Sequence, residues 1–333
     1  MTAAPHVPVL LDRVVGLLAD APAGPFVDAT LGAAGHATAV LAARAARHGS
    51  AHLVGIDRDP SAHALASVRL DADHGADPAV TWELHEARFD ALDDVLDGAG
   101  HGQVAGILLD LGISSMHVDR AERGFSYRQD GPLDMRMGPD APRTAADVVN
   151  GYEHGALVRV LRVLGEERFA DRIARAVVAA RPVSTTTELA SLVRDAIPAA
   201  ARRTGGHPAT RTFQALRIEV NGELEAVERI LPQAVERLAP GGVLVVLAYH
   251  SLEDRLVKRA FTDAARRCVC PPGFPVCTCG RVPIVDLLVR KPERASEQEV
   301  SSNRRASAAR LRAARRTDAP IPPDGWTTTG DRR

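Results

Sequence analysis

The chain has 333 residues, room for one large or two ordinary domains, with 45% hydrophobic and 25% charged residues and a net charge of -1. That profile excludes a disordered or fibrous chain, and no run nears the roughly 20 apolar residues a membrane-spanning helix requires. The N-terminus lacks a charged-then-apolar signal pattern, and Cys268, Cys270, Cys277 and Cys279 share one short stretch, unlike a secreted disulfide framework; a cytoplasmic protein is expected.

From Phe26 the residues FVDATLG, AAGHATAVLAARAA and HLVGIDRD read as strand, glycine loop with helix, and strand. Apolar runs at Val80 to Leu84, Val104 to Leu111, Val243 to Ala248 and Asp286 to Val289 continue the series. Alternation of this kind predicts a doubly wound α/β domain with a mainly parallel sheet. The run ending at Leu111 lies about 130 residues from the one starting at Val243, far more than one βα connection consumes. An insertion from about Asp119 to Thr212 is therefore expected. Its patterns GALVRVLRVLGEERFADRIARAVVAAR and TTTELASLVRDAIPAAAR are helical, with an N-cap among Ser184 to Thr187. The stretch IEVNGELEAVERILPQAVERL then reads as a helix returning to the sheet, and the last fifteen or so residues read as a loose tail.

The first strand opens into Gly32, Ala33, Ala34, Gly35 and His36 at its carboxyl end, where open α/β sheets bind ligands. Asp57 ends the next strand, placed to hydrogen-bond a ribose diol. The two glycines alone also suit a ligand-free turn; Asp57 tips the reading towards a nucleoside-containing cofactor. The G-x-G-x-x-G fingerprint is absent, and Asp28 would repel pyrophosphate but suit ammonium and sulfonium charges, so S-adenosylmethionine fits and NAD does not. The backbone N-H of His36 is well placed, whereas its side chain reads equally as a polar residue in a first helical turn. Phe89 reads on general grounds as core.

The segments DATLGAAGH, GIDRDP, ILLDLGISSMHVDRAERGFSYRQDGPLDMRM, RIEVNGELEAVE, YHSLEDRLVK and SSNRRASAARLRAARR resemble the 16S rRNA (cytosine-N4)-methyltransferase family RsmH, also called MraW. The likeness runs from His6 to about Arg316, and DLGxSSxxxDxxxRGFS followed by GPLDMRM is its most specific block. It implies a Rossmann-like methyltransferase sheet in 1-118 and 213-300, an inserted helical substrate-recognition domain in 119-212, and a basic C-terminal segment with its tail in 301-333. It implies S-adenosylmethionine contacts at Ala34, Gly35, His36, Asp57, Phe89, Asp110 and His117. The partner implied is 16S rRNA or the small ribosomal subunit, in the decoding region, with no membrane and a homodimer as a candidate assembly. Two positions depart from the family: Ala34 replaces a glycine, tolerable at negative φ, and His117 stands where Gln is common.

The N4 amine of cytosine is a poor nucleophile, so an enzyme must position it and accept an N-H hydrogen bond from an unstacked base. Asp110, Ser114, Tyr249 and His250 are the candidate catalytic residues, Asp110 with the Tyr249-His250 pair shaping the pocket. Either Ser114 or Ser115 reads equally as a turn cap. A DNA amino-methyltransferase and a non-catalytic RNA-binding protein with a retained cofactor pocket are the alternatives. Arg304, Arg305, Arg310, Arg312, Arg315 and Arg316 form a basic run suited to phosphate, as do Arg123, Arg128, Arg136 and Arg143 at the insertion; a solvated helical face is the plainer reading of the former. The four cysteines could hold zinc, but C-x-C pairs are unusual for it, and free thiols are the expectation.

Overall fold

The computed structural model describes residues 8-113, 118-203, 207-270, 273, 276-322 and 326. The chain divides into two compact units, Met1–Gly112 with Glu225–Arg333, and Ile113–Leu224.

The first unit is built on a seven-stranded sheet. Its strands are β1 (Phe26–Asp28), β2 (Ala51–Asp57), β3 (Val80–Glu86), β4 (Val104–Asp110), β5 (Leu238–Ala248), β6 (Val285–Leu287) and β7 (Arg310–Arg316), in the order β3-β2-β1-β4-β5-β7-β6. Strands β1 to β5 run parallel, with one register shift between Val104 and Gly106 in the β4–β5 pair, and β7 is antiparallel to both of its neighbours. Burial alternates with the pleat: Ile107, Leu109, Leu244 and Val246 enter the core on one face, and Leu108, Val243, Val245 and Leu247 the core on the other. Both faces are therefore covered, as a parallel sheet requires. This is a Rossmann-like α/β fold, with the order reversing between β1 and β4.

The helices of this unit include α1 (Leu11–Ala19), α2 (Gly35–His48), α3 (Pro60–His74) and α4 (Leu92–Gly98). Arg44 of α2, 1% exposed, donates to the carbonyls of Leu18, Pro22 and Gly24 at 2.7, 2.7 and 2.9 Å. Burial lowers its pKa, and the three carbonyls are what make a buried guanidinium tolerable.

Two sequence expectations change here. The basic stretch 310-316 is a sheet strand with Leu311, Ala313 and Ala314 buried, not a solvated helical face. Arg312 is fully engaged with Asp254 at 2.7 and 3.2 Å, and Arg316 donates to the carbonyls of Ile284 and Thr317. In the stretch read as a loose tail, Trp326 is 2% exposed within the core, with Ala319 and Ile321 packed against it.

The second unit is helical: α5 (Ala145–Gly151), α6 (His154–Val163), α7 (Ala170–Ala180), α8 (Thr186–Ala196) and α9 (Thr210–Asn221). Its own core includes Val148, Leu157, Leu161, Ile173, Val177, Leu189, Val193, Phe213 and Leu216. The unit extends to residue 224 rather than 212 because Phe213, Ala215, Leu216 and Val220 of α9 belong to that core. The stretch from 218 to 238 is accordingly two helices. Gly222, at φ 59°, ends α9 in the left-handed region glycine favours, and α10 (Glu223–Arg237) begins anew.

The GFS and GPLDMRM segments fold on each other. A Cβ on Gly124 would meet the Pro132 carbonyl oxygen at 2.1 Å, and one on Gly131 that of Ala121 at 2.0 Å. Asn221 pins the same turn from α9, accepting from Met137 N and donating to Met135 O, both at 2.8 Å. Three of the arginines flanking the insertion are similarly occupied. Arg123 donates to the carbonyls of Arg136 and Met137, Arg136 pairs with Asp134, and Arg143 bonds the Tyr152 hydroxyl; Arg128 is exposed.

Candidate cofactor and methyl-transfer site

Asp57, Asp28 and Asp110 end β2, β1 and β4, which are adjacent in the sheet, so three carboxylates stand side by side at its carboxyl edge. They flank the point where strand order reverses, the place where such sheets bind ligands.

The turn after β1 is held by this group. Thr30 N donates to Asp28 Oδ1 at 3.2 Å, and Asp110 N donates to Thr30 Oγ1 at 2.6 Å, tying β1 to β4. Gly32 N donates to Asp57 Oδ2 at 2.8 Å, and Asp59 N to Asp57 Oδ1 at 2.9 Å. Asp57 is thereby fixed in one orientation, with lone pairs remaining for a diol. Thr30 escaped the sequence reading, although its place two residues after Asp28 is the spacing of an Asx-type turn.

Ala34 is left-handed, at φ 56° and ψ 29°, so the condition under which an alanine is comfortable there is not met. The backbone keeps the conformation glycine prefers because Ala34 N bonds Leu31 O at 2.8 Å and the methyl is fully buried. Gly35 starts α2 with no room for a side chain, since a Cβ would sit 2.6 Å from Pro8 Cγ.

His36 is buried and bridges two elements. Its Nε2 donates to Val9 O at 2.9 Å, and its Nδ1 lies 3.5 Å from Asp110 Oδ2. Phe89, at the first turn after β3, is half-buried against the core. His117 and Ser114 lie outside the described residues.

At the end of β5 the Tyr249 hydroxyl donates to Asp110 Oδ1 at 2.8 Å. Burial, and then the Asp110 charge, push the tyrosine pKa far above its ordinary value, so it remains a proton-bearing donor. His250 also has a task the sequence did not suggest. It caps α11 (Ser251–Ala264), its Nδ1 accepting from Glu253 N at 3.3 Å, while Glu253 accepts from the backbone N-H groups of Tyr249 and His250 at 2.9 and 3.3 Å. The residue is 9% exposed and its Nε2 lies 3.1 Å from Glu253 Oε1, so the ring orients the Tyr249 turn. Glu253 is the second residue sequence reasoning missed; its position at the third residue of a helix is the capping-box signature.

Electrostatically the edge is strongly negative. Burial raises the Asp28 carboxyl to about 7, His36 and the Thr30 amide oppose the rise, and Asp110 and Asp57 add to it. A ligand carrying positive charge near these carboxylates relieves their repulsion, whereas a pyrophosphate would add to it.

The sequence profile of the MraW methylase family matches residues 3–317. The Ribosomal RNA small subunit methyltransferase H of Thermobifida fusca is 53% identical over 321 residues, covering 95% of this chain and 94% of that protein. The protein of the same name from Acidothermus cellulolyticus is 54% identical over 315 residues, covering 93% of each chain. That from Heliobacterium modesticaldum is 49% identical over 313 residues, covering 93% of this chain and 97% of its own.

Proposed function

The chain belongs to the MraW methylase family, and from that membership we propose that it transfers a methyl group from S-adenosylmethionine to the exocyclic N4 amine of a cytosine in 16S ribosomal RNA, in the cytoplasm. The observation that carries the reading is the row of carboxylates at Asp57, Asp28 and Asp110 beside a turn that is left-handed at Gly32 and Ala34 and has no room for a side chain at Gly35. Those residues fit the cofactor: Asp57 suits the ribose diol, and the negative edge suits its ammonium and sulfonium charges. When bound, S-adenosylmethionine supplies an electrophilic methyl group.

The remaining work falls to this chain's side chains. The Asp110 side chain, 26% exposed, is positioned to accept an N-H hydrogen bond from the cytosine amine, which returns lone-pair density to the nitrogen. Tyr249 holds that carboxylate through its hydroxyl, so the rotamer is set before substrate arrives. Tyr249 acts as a donor and not as a base. Orientation of this kind contributes up to about 7 to 11 kcal/mol in favourable reactions. Among the described residues no helix is long and apolar enough to cross a membrane.

The test is transfer of labelled methyl to small ribosomal subunits lacking the modification, followed by nucleoside analysis. N4-methylated cytidine is the expected product. Label on another nucleoside, or on DNA in preference to RNA, would refute the reading.

A further inference from the structure

The sequence favoured free thiols in the cysteine stretch because C-x-C pairs are unusual at metal sites. Folding changes the question, since it brings Cys268, Cys270, Cys277 and Cys279 together with all four sulfur atoms within 4.8 Å of one another. Cys277 Sγ lies 3.4 Å from Cys268 Sγ, 3.5 Å from Cys279 Sγ and 3.9 Å from Cys270 Sγ. We propose that these four thiolates bind one zinc ion as a structural centre that staples the 265-284 loop.

Three features carry this. Zinc-sulfur bonds of about 2.3 Å in a tetrahedron place the sulfurs about 3.8 Å apart, inside the observed spread from 3.4 Å to at most 4.8 Å. A disulfide would need about 2.05 Å, and no cysteine is in one. The cluster is also too compact for a multinuclear iron-sulfur centre, whose cysteines must surround several metal atoms.

The backbone supports the sulfurs as it does at thiolate metal sites. Val269 N donates to Cys279 Sγ at 3.5 Å, linking the two C-x-C segments, and Cys270 N donates to Cys268 Sγ at 3.4 Å within the first. Finally, among the described residues of the loop Val269, Val276 and Val282 are 49, 68 and 60% exposed and do not pack into a core. Its base is pinned by Ile284 N to Ala264 O at 2.9 Å and by Arg281 to Asp263 O at 2.7 Å. A tetrahedral clip at the far end offsets the closure entropy that the exposed side chains cannot. Binding releases the thiol protons to solvent, so the four sulfurs enter as thiolates and the ion keeps no open position for catalysis.

A second constellation, His52, Glu83 and His101, also brings three donor atoms together, but these bond each other, with Glu83 Oε1 at 2.6 Å from His101 Nε2 and 3.3 Å from His52 Nε2. It serves as the control. Full-length protein purified without chelator or added metal should contain about one zinc per chain by mass spectrometry. Cys268→Ser and Cys277→Ser should each lower that content roughly tenfold, and His52→Ala should leave it unchanged. Should the serine variants fail to fold, cobalt exchange into the unaltered chain decides: sulfur-to-cobalt charge-transfer absorption is expected. Metal-free protein with four reactive thiols or two disulfides would overturn the proposal. So would iron in place of zinc, a cobalt spectrum without thiolate bands, or zinc lost only on His52→Ala.

Discussion

Asp28 offers the most direct measurement of the electrostatics at the sheet edge. Its carboxyl is buried between two other acids and is raised to about 7 from the 3.8 of an unhindered aspartate. A raised folded-state pKa means the native protein binds the proton more tightly than the unfolded chain. Its contribution to stability is therefore complete below pH 3.8 and is lost as pH rises through 7. Three pH units at 1.36 kcal/mol each give on the order of 4 kcal/mol between those limits. Asp28→Asn keeps an oxygen for the Thr30 amide and removes the titration. Urea unfolding of both proteins from pH 5 to 8, without cofactor, should show the variant gaining on the original chain as pH rises, because only the original must keep a buried charge. Histidines titrate in the same range, but they are common to both proteins and cancel in the difference. The same carboxylate should favour a cationic ligand once ionised. Calorimetric affinity for S-adenosylmethionine at pH 8 should fall roughly tenfold in the variant, about 1.4 kcal/mol for one screened charge interaction. Parallel stability curves for the two proteins across this range would refute the account of a strained acidic edge.

Other consequences follow from the same contacts. Tyr249→Phe removes a hydrogen bond to the carboxylate assigned to the amine, so kcat should fall roughly tenfold or more with little change in KM for cofactor, in line with about 1.5 kcal/mol or above for a charged hydrogen bond; steady-state kinetics on subunits would check this, and an unaltered kcat would remove Tyr249 from the mechanism. Ala34→Gly relieves about 1 to 2 kcal/mol of left-handed strain, which the flexibility of glycine in the unfolded chain and the loss of a fully buried methyl offset to within about 1 kcal/mol, so thermal melts should show little change; a loss of about 2 kcal/mol or more would contradict the strain argument. Truncation before Ser302 takes β7 from between β5 and β6, so it should yield unfolded protein by circular dichroism rather than a folded enzyme with weaker salt dependence of RNA binding.

The parallel core and the edge at which the site lies were legible in the residues themselves. A buried parallel strand needs a continuous apolar run, and VAGILLD and VLVVLA have one; a turn that admits a ligand needs small residues, and Gly32 to Gly35 supply them. Residues 310-316 were not legible, because their strand hides behind arginines whose stems are buried while their heads find Asp254 and backbone carbonyls. The same holds for the break at Gly222, where helical periodicity continues across a residue whose left-handed geometry only the packed α9 reveals.

Local pattern, then, determined which segments become strands and which loop offers its backbone to a cofactor, since both depend on residues close together in the chain. The tertiary structure alone decided who holds Asp110, that His250 is a cap, that Ala34 is left-handed, and that four cysteines converge on one point. Each of those depends on partners brought within bonding distance by packing, and no spacing along the chain encodes which hydrogen bond a side chain makes once several are within reach.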